Sequence, residues 1–192
     1  HCRSALVQGR CTQCGHRGLH EPTMSHLSFN HHLGACSECK GLGTITTCCP
    51  ELFVTAPERS ILDGALDGTK QGRFYGERDG QFVATLAAIG KARGYSYGEA
   101  WNSLSKEAQQ VAMYGAGSEE FSVDWHYKRK ARQGTHTFKG PWVGLITLVN
   151  EEFERAQKNG KEKKFAAIMD ELPCPQCHGH RLNADSGAMT WQ

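Results

Sequence analysis

A chain of 192 residues with 39% hydrophobic content is sized for one domain, or one domain with a small satellite module. Its mean hydropathy is −0.53, and no apolar run approaches the roughly 18 to 20 residues that cross a bilayer, which excludes a membrane-spanning helix. The formal charge of +2 neither supports nor excludes an anionic partner, because one site of four thiolates on a divalent ion would cancel it, so any such argument rests on local charge.

His1–Arg10 lacks the apolar stretch of a secretory signal, so a cytoplasmic chain is expected. Residues 1–50 are rich in Cys, His and Gly and poor in helical periodicity, as in zinc-supported loops and short strands. The nine cysteines fall largely in Cys-x-x-Cys pairs, the spacing of metal knuckles rather than of disulfides. Cys11-Thr-Gln-Cys14 is the first knuckle, and it supports a second zinc with partners among Cys2, His16, His20 and the Cys48-Cys49 doublet. Pairing in sequence with Cys36 and Cys39, or an unmetallated turn, are its alternatives.

From Pro57 the character changes. Glu58–Leu66 and Gly80–Arg93 carry helix-spaced apolar residues, with Phe82, Leu86 and Ile89 forming a stripe in the second. A further helix is predicted over Ser105–Tyr114, capped by Ser105 and stopped by Gly115. Phe121, Val123, Trp125 and Tyr127 then alternate with polar residues, a strand that should turn through 129–134 and return over Thr135–Lys139. Pro141 should open a long helix to about Lys158 with Val143, Ile146, Val149 and Phe153 on one face, followed by a shorter helix over Lys161–Leu172.

The hairpin carries local charge. No acidic residue stands between Trp125 and Asn150, whereas Lys128, Arg129, Lys130, Arg132 and Lys139 are cationic. Trp125, Tyr127, Phe138 and Trp142 interleave with them, so the cations suit phosphates and the aromatics suit exposed bases. The plainer reading is a solvated turn whose aromatics face the core.

Cys36-Ser-Glu-Cys39-Lys-Gly and Cys174-Pro-Gln-Cys177-His-Gly repeat one pattern at the two ends of this region. Together they supply four thiolates for one closed, structural zinc site, although 134 residues separate Cys39 from Cys174. Closure cost grows only logarithmically with loop length, so so distant a pairing is reasonable. The alternative gives each pair its own zinc, completed by His31, His32, His178 or His180. The class is α+β: a zinc-stapled loop module (1–50, closed by 173–192) with an inserted helical and β-hairpin domain (51–172). Catalytic constellations are absent: no phosphate loop, no His-x-Glu to complete a deaminase motif before Pro173-Cys174, and only scattered carboxylates at Asp63, Asp67, Glu77 and Asp79.

His20-Glu-Pro, Leu27-Ser-Phe-Asn30 and Gly34-Ala-Cys36-Ser-Glu-Cys39-Lys-Gly-Leu-Gly43, closed by Cys174-Pro-Gln-Cys177-His-Gly-His-Arg181-Leu182, resemble the UvrA family, as does Phe138-Lys-Gly140 followed by Gly144 and Leu145. The resemblance runs from about Cys11 to Leu182. It implies a segment of a dimeric ATP-binding-cassette ATPase that scans DNA for nucleotide-excision repair and loads UvrB at lesions. The phosphate loop and UvrB-binding domain would precede this segment and the signature motif would follow it. ATP and UvrB therefore belong to the parent protein, and the segment itself is no enzyme. Cys2, Cys48 and Cys49 fall outside the family pattern, and Phe74–Phe82 and Asp124–Trp142 look closer to a divergent UvrA-like paralogue. A DnaJ-like zinc module that binds unfolded protein is the rival reading, since it shares Cys-x-x-Cys-x-Gly-x-Gly.

Overall fold

Residues 6–7, 10–11, 23–129 and 132–187 are described by the computed structural model, the side chains of 6, 7, 10, 11, 129 and 132 excepted. The fold is α+β, and the chain divides into two units, 1–46 with 171–192, and 47–170. In chain order, β1 (Leu6–Val7) pairs antiparallel with β2 (Arg10–Cys11), and β3 (Thr44–Cys48) later pairs with β6 (Met169–Pro173).

The unit of residues 47–170 contains α1 (Pro50–Phe53), α2 (Lys70–Tyr75), α3 (Gln81–Arg93), α4 (Lys106–Tyr114), the antiparallel pair β4 (Glu120–Arg129) and β5 (Arg132–Pro141), and α5 (Leu145–Gln157). Local chemistry sets most of the boundaries. Pro50 occupies the first turn of α1, where its missing N–H has no helical partner to lose. Thr69 caps α2 by accepting from the Gly72 N–H, and Ser105 caps α4 by accepting from the Ala108 N–H. Gly94 ends α3 in the left-handed region at φ 77°. The helices bury Leu86 and Ile89 of α3, Val111 and Met113 of α4, and Leu145, Val149 and Phe153 of α5 around Phe53, Ile61, Leu66 and Phe165. Each such side chain contributes about 1.5–3 kcal/mol relative to exposure. Helix α3 lies along β4, and α4 packs on α5.

Three expectations from the sequence change. Over 58–66 the chain makes only a 3₁₀ turn at Ile61–Asp63, because the Ser60 hydroxyl accepts from the Asp63 N–H and Gly64 turns out at φ 95°. Pro141 ends β5 rather than opening a helix; Gly144, at φ 90°, delays α5 to Leu145 and leaves Val143 exposed instead of on the helix face. Over 161–172 a 3₁₀ turn at Glu162–Phe165 gives way to β6, whose pairing with β3 overrides the helical pattern ahead of Pro173. The hairpin is also tighter than expected: Arg129 pairs with Arg132, so both strands run into the stretch read as a turn.

Gly144 and Gly115 show why glycine is needed where two segments cross. A Cβ on Gly144 would lie 2.4 Å from the Met113 carbonyl oxygen, and one on Gly115 would lie 2.6 Å from that of Trp142. Both have φ near 90–100°, so conformation and space each demand glycine.

Among the described residues of the unit formed by 1–46 and 171–192, the buried cluster consists of Cys36, Cys39, Cys174 and Cys177 with Ile45 packed against them. Short α6 (Ala184–Gly187) follows the second knuckle, where an isolated bridge joins Ala35 to Leu182.

Candidate metal centre and nucleic-acid interface

The repeat seen in the sequence is also a repeat of backbone. Lys40 and His178 both adopt φ near 50°, and Gly41 and Gly179 follow at 84° and 87°. Gly43 at 84° then matches Arg181 at 68°. The two knuckles bond reciprocally: the Cys36 N–H donates to the Arg181 carbonyl (2.8 Å) and the Cys174 N–H to the Gly43 carbonyl (2.9 Å). Within each, the N–H three residues past the second cysteine reaches back to that cysteine's carbonyl, Leu42 to Cys39 and His180 to Cys177.

This pairing brings four thiols together. Cys36 Sγ lies 3.8 Å from Cys174 Sγ and Cys39 Sγ lies 3.6 Å from Cys177 Sγ, with all four sulfurs within 4.8 Å of one another. A disulfide needs about 2.05 Å, whereas sulfurs about 2.3 Å from a tetrahedral zinc lie about 3.8 Å apart. The cluster can hold a metal ion, with contributions from both knuckles and, among the described residues, from no histidine. Burial raises the Cys39 thiol, but N–H donors from Gly43 and Gly41 and the neighbouring Cys177 and Cys36 thiols outweigh it and hold the pKa at about 7. Its partner Cys177 is pushed up to about 11, first by burial and then by sharing the proton with Cys39 and Cys174. Gln176, which carried no signal in the sequence beyond its place in the repeat, clamps the opposite knuckle: its Oε1 accepts from the Cys36 thiol, the Ser37 hydroxyl and the Glu38 N–H.

Of the residues read as ligands or partners of a second zinc, the structure describes the side chains of Cys48 and Cys49. Cys2, Cys14, His16, His20 and the Cys11 side chain lie outside the described residues. Cys48 sits in the apolar core, where burial and the adjacent Cys49 push its thiol up to about 12, an environment against a thiolate. The Cys49 thiol donates to Glu51 Oε2 at 2.9 Å.

On the hairpin, alternation divides the faces. Phe121 and Val123 are buried, Trp125 and Tyr127 half-buried, while Ser122, Asp124, His126 and Lys128 are exposed. Cover thins toward the tip, and the Trp125 indole N–H donates to the Asp79 carbonyl at 2.7 Å, fixing the ribbon to the loop before α3. Lys128 is exposed; Lys130 and the side chains of Arg129 and Arg132 lie outside the described residues. One sequence expectation is corrected, the exposure of Trp142. Trp142 is a core residue, its indole N–H bonded to the Val111 carbonyl, and does not present a ring to a base. Lys139 is exposed but paired with Glu120 at 3.0 Å, so part of its charge is already answered within the ladder.

Residues 50–166, the stretch that includes this hairpin, match the family model described as the UvrA DNA-binding domain. The chain belongs to the UvrA family. UvrABC system protein A of Micrococcus luteus is 28% identical over 169 residues, covering 85% of this chain and 16% of that protein. That of Brucella abortus biovar 1 is 30% identical over 162 residues, covering 83% and 16%. The chain therefore spans about a sixth of these relatives. In fold it is similar to UvrA2 from Deinococcus radiodurans, with a TM-score of 0.55 at 21% identity over 84% of this chain and 20% of that one. The four clustered cysteines stand outside the stretch matched to the UvrA DNA-binding domain and flank it on both sides. The match favours the DNA-binding reading over the DnaJ-like one.

Proposed function

We propose that this chain is the DNA-gripping segment of a UvrA-like ATPase acting in nucleotide-excision repair, held at its base by one structural zinc on Cys36, Cys39, Cys174 and Cys177. The UvrA DNA-binding-domain match over 50–166 carries the reading. The ligand set supports zinc, since four thiolates at tetrahedral spacing leave no open position for a catalytic water. Lys128, Arg129, Lys130 and Arg132 supply phosphate contacts at the hairpin tip, with Lys139 a lesser contributor. A second zinc on Cys11 and Cys14 belongs to the same reading. ATP hydrolysis, dimerisation, a UvrB-like partner and a cytoplasmic setting are attributes of the parent protein. None of the described helices is long and apolar enough to cross a membrane.

Binding of a fluorescent duplex in competition with a denatured polypeptide tests the assignment. The chain should hold duplexes of unrelated sequence with similar affinity, and the polypeptide should leave them bound. Displacement by the polypeptide would return the chaperone-like reading.

A further inference from the structure

Away from the hairpin tip and the thiol cluster, α2, the start of α3 and α5 enclose a cleft of about 500 Å³. Its wall is aromatic. Phe74, Tyr75 and Phe82 form a mutually packed cluster, with ring centroids 5.8 Å apart for Phe74–Phe82 and 4.9 Å for Tyr75–Phe82. Phe74 nevertheless leaves 52% of its surface exposed. Its rim carries Lys70, Arg155 and Lys164 against the single lining carboxylate of Glu152, with Arg155 also 3.9 Å from the exposed carboxylate of Glu151. The Glu152 carboxylate is already committed, accepting from the Tyr75 hydroxyl and from Lys164 Nζ at 2.9 Å.

Gln71 gives the cleft a specific polar contact. It is only 5% exposed and lines the cavity, and among the described residues its side-chain amide has no hydrogen-bond partner. Its amide atoms are not sealed from solvent, so they are open to a ligand in the cleft. An amide offers a donor and an acceptor side by side, the pattern that pairs with a base edge. The cleft also adjoins the hairpin: Phe82 and Leu148 line a second hollow, which continues to Phe138 and Gly140 of β5.

We propose that this cleft holds a single unstacked nucleobase of bound DNA, its ring against Phe74 and Phe82, its edge on the Gln71 amide, and its flanking phosphates near Lys70 and Arg155. The proposal rests on the DNA-binding reading above and deepens it: the hairpin grips backbone anywhere, while the cleft favours DNA whose bases are no longer all stacked. Aromatic walls suit any base, and the cationic rim fits an anionic strand better than an apolar peptide.

The test is the affinity of the full chain for a paired duplex and for the same duplex with one unpaired adenine, at fixed salt. The wild-type chain should prefer the unpaired form by about 5- to 100-fold, the range that stacking of one base supports. Phe74→Ala, at a half-exposed position that should leave the fold intact, should erase that preference without weakening the paired duplex. Gln71→Leu, of similar volume, should reduce but not erase the preference for the duplex with the unpaired adenine, since it removes the edge contact and leaves the aromatic walls. Equal binding of the two duplexes by the wild-type chain, or a preference that survives Phe74→Ala, overturns the cleft and leaves the DNA-binding reading standing. A loss in Phe74→Ala that is the same for both duplexes also overturns it. Failure to bind either duplex removes both.

Discussion

At the level of single residues, the thiol tetrad joins local backbone to function. Lys40, His178 and Arg181 accept left-handed conformations that other L residues avoid, at a cost of about 1–2 kcal/mol each. Their reward is that two chain segments 138 positions apart present four sulfurs to one point. Cys174→Ser should therefore lower metal content and the melting temperature of its unit, measured by metal analysis and thermal unfolding; full metal content and an unchanged melting temperature in the variant would rule out the shared site. Binding requires thiolates, so metal affinity should fall on acidification: Cys39, at about 7, is readily deprotonated, but Cys177, at about 11, must give up a proton to the solvent when metal enters.

At the level of elements, the crossing of the α4 C-terminus with the approach to α5 makes the sharpest stability claim. Gly144→Ala would drive a Cβ to 2.4 Å from the Met113 carbonyl oxygen at a φ of 90°. It should cost at least about 1–3 kcal/mol, read as a lower denaturant midpoint. Elements whose signals are local were legible in the sequence. Helix α4 stands where Ser105 and Gly115 bracket it, and β4 follows the alternation from Phe121 to Tyr127. The shared cluster of Cys36, Cys39, Cys174 and Cys177 was legible too, because a repeated knuckle needs its complement. What misled was composition without context. Residues 161–172 look helical, yet β3 supplies a strand partner that no local pattern reveals. Trp142 looked like a stacking aromatic because it neighbours cations, and only the carbonyl of Val111, 31 residues away, explains its burial. The Phe74–Gln71 cleft left no sequence signal, since its walls come from three helices.

At the level of the molecule, the two units are stabilised by different means. Residues 47–170 have an extensive apolar core, whereas among the described residues of 1–46 and 171–192 the buried cluster is the four cysteines with Ile45. The described part of that unit buries so little apolar surface that a metal on the four thiols would supply much of its folding energy. Chelation should accordingly remove amide-exchange protection around 34–43 and 174–183 while the helices of 47–170 stay protected. Simultaneous loss in both would show one cooperative whole. The central claim, that a UvrA-family segment grips DNA through cations at its hairpin tip, is tested most directly by the salt dependence of duplex affinity. With Lys128, Arg129, Lys130 and Arg132 all changed to Ala, the slope of log K against log salt should flatten by up to about 0.9 per lost contact, with affinity falling alike for unrelated sequences. An unchanged slope and affinity would contradict the account and leave the hairpin a solvated ribbon.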